Sequence, residues 1–201
     1  MKKYIILTTL TLLISCKAKT PIVKLTTSDK YPVILLPSKK NKGVWDISFP
    51  FNIAITNPSY KTKRLSYYKY YCNYYYYLKK EKKICGKGLM YKLDKGNLLK
   101  KSIWEDKDIP WKTTKKYVFY SRHYLDTLKY PRSFFKEYYQ KLKESGLKDS
   151  LPVGTLAEFK KKHPKILEDL LKKDSIYFSF PFPKRDKVKG YSEGVKVPVV
   201  Y

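Results

Sequence analysis

A run of tyrosines in the middle of the chain limits its local structure more than any other segment. Eight tyrosines occur between Tyr67 and Tyr77, and aromatic side chains are enriched in β-strands. The run therefore predicts one strand from residue 65 to residue 78. Successive side chains of a strand point to opposite faces, so the drier face, which includes Tyr68 and Tyr70, is expected to pack in the core.

The opposite face of this strand mixes aromatic rings with polar groups. Two interpretations are open. Either the helix predicted at residues 133–145 covers this face, or the face is exposed as an aromatic platform of the kind that stacks on sugars or contacts a partner. The candidate platform residues are Tyr67, Lys69, Tyr71, Tyr75 and Tyr77.

Strand patterns dominate the first part of the chain. Apolar runs and alternations bounded by turn signals predict further strands. These strands lie at residues 31–36, 44–49, 51–56, 84–93 and 116–124. Turns are predicted at residues 57–59 and 94–97, where asparagine, aspartate, proline and glycine cluster.

The hydrophobic period changes after residue 130. Ser133 is predicted to cap a helix with an apolar stripe, and Gly146 is predicted to end it. Thr155 and Glu158 form a capping-box pattern that opens a second helix. Pro164 is predicted to begin a third helix.

Strand composition returns at residues 175–180 and 195–200. Strands first, helices later and strands again predict the α+β class. We expect a mostly antiparallel β-sheet or sandwich with two or three helices inserted in the C-terminal half.

The N-terminus resembles a bacterial lipoprotein signal. Two lysines precede an apolar run at residues 4–14, which is too short to span a bilayer as a helix. The run ends in Leu13-Ile14-Ser15-Cys16, which is similar to a lipobox. The resemblance implies that residues 1–15 are a signal peptide and that Cys16 carries a diacylglycerol and an amide-linked acyl chain such as palmitate. The alternative is that residues 4–14 form a core helix or strand.

The lipoprotein resemblance also predicts how the chain is organised. Residues 16–30 are expected to be the lipidated cysteine and a polar tether, and residues 31–201 a single globular domain. No acidic residue follows Cys16 directly. In such lipoproteins this implies the outer membrane, facing the periplasm, while the inner membrane and the cell surface stay open.

The chain is strongly basic. Its formal charge of +27 falls to +25 when Lys2 and Lys3 leave with the signal, so anionic partners are attracted. Lysine outnumbers arginine tenfold, although arginine is favoured for bidentate phosphate recognition. Since no nucleic-acid-binding motif occurs either, we expect an envelope protein, a glycan or an anionic lipid as partner rather than nucleic acid.

Two cysteines other than Cys16 remain, Cys72 and Cys85. In an oxidising envelope they predict a possible disulfide. A hairpin with its turn at Glu81 would set them about five positions out of register, or about 16 Å apart. A bulge or an earlier turn would bring them together, and the alternative is two buried thiols.

No pattern in the chain specifies a catalytic or metal centre, and no cofactor is expected. His123 with an acid such as Asp126 is the candidate pair for hydrolysis, although a structural or surface role is favoured for the histidine. His163 is predicted to cap a helix. An acidic cluster is predicted to be a solvated loop rather than a cation site. It consists of Glu105, Asp106 and Asp108.

The segment at residues 51–59, which reads FNIAITNPS, resembles the strand and Asn-Pro turn of immunoglobulin-like water-stress (WHy-type) domains. This resemblance implies a sandwich-like sheet and carries no implication for activity.

Together these features predict a lipid-anchored, non-enzymatic binding or interaction module at the periplasmic membrane surface. Two alternatives stay open. One is a periplasmic immunity or inhibitor lipoprotein that neutralises an exported toxin, and the other is a small envelope hydrolase that uses His123.

Overall fold

The computed structural model describes residues 19–37, 44–73, 75–78, 82–95, 97–100, 108–126, 129–147, 150–181 and 192–201. Within these ranges the strands are β1 (Ile22–Thr27), β2 (Ile34–Pro37), β3 (Val44–Thr56), β4 (Lys63–Arg64), β5 (Tyr67–Tyr71), β6 (Tyr75–Leu78), β7 (Lys82–Cys85), β8 (Lys87–Asp94), β9 (Asn97–Lys100), β10 (Asp108–Ile109), β11 (Thr114–Tyr124), β12 (Leu151–Pro152), β13 (Ser175–Pro181) and β14 (Ser192–Pro198). The helices are α1 (Lys136–Glu144), preceded by a 3₁₀ turn at Arg132–Phe135, then α2 (Leu156–Lys162) and α3 (Pro164–Leu171).

The predicted α+β class is confirmed. All pairings between these strands are antiparallel, and the helices follow β11 in the C-terminal half. None of the helices that the structure describes is long and apolar enough to cross a membrane. The predicted signal at residues 1–15, together with Cys16, Glu105 and Asp106, lies outside the described residues.

The largest sheet that the described ranges form has seven strands and is built around β3. The strand order is β12-β2-β3-β11-β8-β9, and β1 shares one edge of β3 with β2. β2 pairs with β3 up to Ser48, and β1 pairs with it from Phe51. The two strands predicted at residues 44–49 and 51–56 are therefore one strand. It continues through Pro50 because this residue, which lacks an N–H donor, falls between the two partners on that edge.

Part of the segment predicted to be a tether, residues 16–30, forms strand β1. Residues 22–27 belong to the sheet, and Val23 and Leu25 pack against the core while Lys24 is exposed. Two apolar side chains among lysines and threonines form only a weak alternating pattern, which is typical of a short, charged edge strand. The expectation that residues 16–30 are a tether is wrong for this segment.

The core lies between the main sheet and the helices. The inward face of β3 is at most 1% exposed, and it consists of Ile47, Phe49, Phe51, Ile53 and Ile55. The Phe159 ring of α2 meets the Phe49 ring edge-on at 5.8 Å between centroids. The apolar stripe of α3 joins the same cluster through Ile166, Leu167, Leu170 and Leu171. Full burial of one such side chain contributes about 1.5–3 kcal/mol.

The predicted beginnings of two helices are confirmed. At α2 the Glu158 backbone N–H donates to the Thr155 hydroxyl at 3.3 Å, and the Thr155 N–H donates to the Glu158 carboxylate at 2.7 Å. This is a complete capping box. Pro164 occupies the first turn of α3, where its missing N–H costs nothing.

The beginning of the first helix differs from its prediction. The chain enters a 3₁₀ turn at Arg132 after Pro131, so Ser133 lies inside the turn and does not cap it. The predicted end is confirmed, because Gly146 follows α1 with a φ of +66°, a left-handed conformation that glycine adopts without steric cost.

The tyrosine run is divided between two sheets. β5 belongs to a three-stranded sheet of order β14-β13-β5, whereas β6 forms a hairpin with β7 in which Tyr75 pairs with Cys85. The single strand predicted at residues 65–78 is therefore wrong, because the chain leaves the sheet at Cys72 and Asn73. The inner face of the three-stranded sheet joins the core through Tyr70, Ile176, Phe178 and Phe180.

Candidate functional site

The outer face of the three-stranded sheet carries the candidate site. In β5 the predicted alternation holds, because Tyr68 and Tyr70 point inward while Tyr67 and Tyr71 are 45% and 41% exposed. Lys69 is exposed between the two outward rings. Tyr75 and Tyr77, the other two predicted platform residues, do not belong to this sheet. Their backbone lies in the β6–β7 hairpin.

Two further strands extend this face. β13 and β14 bring Tyr177 and Lys196 into the same row as Lys69, because Tyr177 pairs with Lys69 on one side and with Lys196 on the other. Gly194 makes room for the Tyr177 ring. A Cβ atom at residue 194 would lie 2.3 Å from the Tyr177 hydroxyl oxygen and 2.5 Å from a ring carbon, so the ring lies against the backbone of β14.

The rings and ammonium groups of this face contact one another. The ring centroids of Tyr67 and Tyr177 are 6.0 Å apart with an angle of 39° between the ring planes. The Nζ atoms of Lys69 and Lys196 lie 4.9 and 5.5 Å from the centroid of the Tyr71 ring, which is cation–π distance. We call these five residues the tyrosine platform.

The predicted helix does not cover the platform. α1 packs elsewhere: its buried Tyr138 forms a 2.9 Å hydrogen bond with the His163 ring, at the junction of α2 and α3. The 45% and 41% exposures of Tyr67 and Tyr71 show directly that this face is open. His163 occupies the N-cap position of α3 without a side-chain capping hydrogen bond, so its ring joins two helices instead of capping one.

A buried polar cluster lies beneath the platform and connects its sheet to the main sheet. The Tyr70 hydroxyl donates a short hydrogen bond to Asp174 and lies 3.0 Å from His123 Nε2. The same imidazole nitrogen is 3.2 Å from the Ser121 hydroxyl. The other Asp174 oxygen accepts the Asn73 N–H at 2.7 Å. These bonds link β5, β11 and the residue that precedes β13.

Burial sets the protonation of this cluster. It lowers the pKa of His123 to about 3 and raises the pKa of Asp174 to about 6, since a low dielectric disfavours the charged forms. The pKa of Tyr70 is raised well above its usual value by burial and by the neighbouring Asp174. His123 is therefore neutral at pH 7. Because the Tyr70 hydroxyl donates its hydrogen bond to Asp174, the Tyr70 oxygen can only accept from the imidazole, which assigns the ring proton of His123 to Nε2.

This geometry gives the histidine a structural role. His123 is 1% exposed and Asp174 also 1%, so the imidazole offers no surface to a substrate. Within the described ranges its hydrogen-bond partners are Tyr70 and Ser121. A carboxylate oxygen, Asp174 Oδ2, lies 3.8 Å from its Nε2. Asp126 is not among these partners. The pairing proposed for hydrolysis is therefore not formed, and the cluster holds the two sheets together.

Cys72 takes part in a disulfide. Its sulfur accepts the backbone N–H of Gly86 at 3.0 Å, next to Cys85 in the chain. The register obstacle is removed because the chain leaves β5 before Cys72, so the two cysteines need not lie on one continuous ladder. The pairing of Cys72 with Cys85 stays a prediction.

The described residues contain no group of three or more potential metal ligands. Of the acidic cluster, Asp108 lies in β10, is exposed and faces Arg64 at 3.9 Å. Exposed pairs of this kind contribute little to stability.

Sequence reasoning located three of the five platform residues and missed the other two. Tyr67, Lys69 and Tyr71 follow from alternation within one strand. Tyr177 and Lys196 reach the site only through the pairing of β13 with β5 and β14. The only local signal was Gly194, a glycine in a strand pattern, which is typical of a close approach by another group.

Comparisons of the chain with protein-family models, with curated proteins and with solved structures found no match.

Proposed function

We propose that this chain is a lipid-anchored bacterial envelope protein without enzymatic activity, and that its tyrosine platform binds an acidic glycan at the periplasmic face of the outer membrane. The lipobox at residues 13–16 supports the anchor. The exposure of Tyr67 and Tyr71 beside two lysines is the observation that carries the binding function.

The chemistry of the platform favours a sugar that bears negative charge. The faces of phenol rings stack on the C–H groups of sugar rings, and a strand presents its rings on a flat, preformed surface. The ammonium groups of Lys69 and Lys196 both lie near Tyr71, so an anionic substituent can meet two positive charges beside one ring. The chain's net positive charge adds long-range attraction.

Three probes separate this recognition from simple charge attraction. Tetragalacturonate combines sugar rings with carboxylates, maltotetraose has rings without charge, and polyglutamate has charge without rings. With protein purified from membranes in detergent, we expect calorimetric titration to show tightest binding to tetragalacturonate. Equal affinity for polyglutamate at matched charge would contradict ring recognition, because only the overall charge would then matter.

Replacing Tyr71 by alanine is expected to weaken binding of tetragalacturonate about tenfold, since one stacked ring and its cation contacts contribute about 1–1.5 kcal/mol. Tyr139 provides a matched control, because Lys143 lies 5.0 Å from its ring on α1, away from the platform. Y139A should bind like the wild type. Similar losses in both variants would overturn the assignment of the platform.

A second substitution tests ring position without removing a ring. In G194A the new Cβ would occupy the space of the Tyr177 hydroxyl, so the ring must move while both lysines remain. We expect weaker binding of tetragalacturonate with an unchanged dependence on salt concentration. An unaltered affinity would show that Tyr177 does not contribute to the site.

A further inference from the structure

A second pair of exposed aromatic rings lies at one end of the main sheet. Tyr60 is 78% exposed and Trp111 is 53% exposed, with ring centroids 6.2 Å apart. The Lys112 Nζ lies 5.1 Å from the Tyr60 centroid and 5.3 Å from the Trp111 centroid. We call these three residues the aromatic tip. Large exposed aromatic groups of this kind mark contact surfaces.

A buried asparagine holds the two loops of the tip in place. The Asn57 side chain is fully buried, and its amide donates to the carbonyls of Lys61, Ile109 and Pro110 at 2.8, 2.9 and 3.2 Å. Its oxygen accepts from the Ser59 N–H at 3.0 Å and from the Ser59 hydroxyl at 2.7 Å. Because these bonds fix both loops, they hold Tyr60 and Trp111 in their exposed positions.

The loop that carries Trp111 is a tight turn. The Thr113 N–H and hydroxyl both donate to the Pro110 carbonyl, at 3.3 and 2.8 Å. Lys112 has a φ of +51° at the end of this turn, a conformation that costs a lysine about 1 kcal/mol. The turn thus holds Trp111 and Lys112 outward at an energetic cost.

The chain enters the fold at this same end of the sheet. Ile22, the first residue of β1, pairs with Thr56, and Thr56 also pairs with Thr114, the first residue of β11. The Thr56 and Thr114 hydroxyls are 2.8 Å apart. Six residue steps separate Cys16 from Ile22, so a fully extended link spans at most about 20 Å.

We propose that the aromatic tip rests in the interfacial layer of the membrane that holds the Cys16 lipid, with Tyr60 and Trp111 at headgroup level and Lys112 beside anionic phosphate headgroups. This inference rests on the proposed lipid anchor. Tryptophan and tyrosine concentrate at membrane interfaces, and a lysine near an anionic surface contributes about 1 kcal/mol. The short link turns this end of the sheet toward the bilayer and so fixes how the domain is oriented.

Tryptophan fluorescence in brominated vesicles tests the proposal. The lipidated protein, isolated from membranes, is reconstituted in phosphatidylcholine vesicles that contain about 30% phosphatidylglycerol, with bromines near the headgroup end of the acyl chains. The chain has three tryptophans. We expect bromine to quench part of the wild-type emission, because Trp111 reaches the interface.

Two variants assign the quenched ring. W111F should lose most of the bromine quenching. W45F should keep it, because residue 45 lies at the opposite end of β3 from Thr56, about 35 Å away along the strand. If lipidated wild type and W111F are quenched equally, the proposal for the tip is overturned while the anchor stands.

The mass of the N-terminal peptide tests the anchor separately. If Cys16 carries no lipid, the proposed anchor fails, and the full chain is then mixed with the same brominated vesicles and sedimented. Binding with Trp111 quenched would retain the tip as a membrane-contacting surface. No binding, or binding without that quenching, would overturn it.

Discussion

Replacing Asn57 by alanine is expected to lower the free energy of unfolding by about 3 kcal/mol or more, because several buried groups lose their partners at once. The side chain makes five hydrogen bonds, and three of them reach carbonyls in two different loops. Alanine would leave the buried Ile109 carbonyl and the buried Ser59 N–H without this partner. The Lys61 and Pro110 carbonyls would keep hydrogen bonds from Ser59 and Thr113. We expect urea unfolding to show the loss as a lower midpoint with an unchanged slope.

Asn52 is a matched control that lies within β3, five residues before Asn57. Its amide makes one exposed hydrogen bond, to the Thr27 carbonyl at 3.1 Å, so N52A should cost less than about 1 kcal/mol. Equal effects of N52A and N57A would show that Asn57 does not hold the loops of the aromatic tip as described.

Replacing Asp174 by asparagine is expected to make stability fall as the pH is lowered from 7.5 to 5. Two buried groups oppose each other in the wild type. The pKa of His123 falls from 6.5 to about 3 on folding, so the unfolded chain binds the extra proton and stability is lost as the pH falls below 6.5. The pKa of Asp174 rises from 3.8 to about 6, so the folded chain binds the extra proton and stability is gained as the pH falls through 6.

These opposite signs predict how the variant differs from the wild type. From pH 7.5 to pH 5, protonation of the histidine in the unfolded chain lowers the free energy of unfolding by about 2 kcal/mol. Protonation of the aspartate in the folded chain raises it by about 1.4 kcal/mol, so the net change in the wild type is small. D174N keeps only the histidine effect. The unfolding free energy of D174N minus that of the wild type should therefore fall by about 1–1.5 kcal/mol from pH 7.5 to pH 5.

Asp169 provides the control for this experiment, since it also accepts a short hydrogen bond from a tyrosine, Tyr130. Burial acts to raise its pKa, but hydrogen bonds from Lys129 and Tyr130 outweigh burial and lower the pKa. Because this pKa is lowered on folding, the stability that Asp169 contributes is lost only as the pH falls below the usual aspartate pKa of 3.8. The gap between D169N and the wild type should stay constant from pH 7.5 to 5. A constant gap for D174N as well would contradict the assigned protonation of the buried cluster.

Features that depend on neighbouring residues were predictable from the sequence. The capping box at Thr155 and Glu158, the start of α3 at Pro164 and the left-handed Gly146 each arise within one or two turns of the chain. The alternation of Tyr67, Lys69 and Tyr71 is equally local, because strand geometry alone places these side chains on one face.

Features that depend on distant pairing were not predictable. Nothing near Tyr70 indicates that Asp174 will accept a hydrogen bond from it, because the two residues meet only when β5 pairs with β13. The start of the first helix is the exception, because its determinants are local and the prediction still failed: the chain enters a 3₁₀ turn directly after Pro131, two residues before Ser133. Trp111 lies in a polar loop whose position depends on Asn57, which is more than fifty residues away in the sequence.

The most direct test of the proposed function is a crystal structure of the protein with tetragalacturonate. We expect a sugar ring stacked on Tyr71 or on the Tyr67–Tyr177 pair, with a carboxylate within hydrogen-bond distance of Lys69 or Lys196 Nζ. Tetragalacturonate bound only at other lysines, with the tyrosine platform empty at saturating concentration, would contradict the proposal that this face is the binding site.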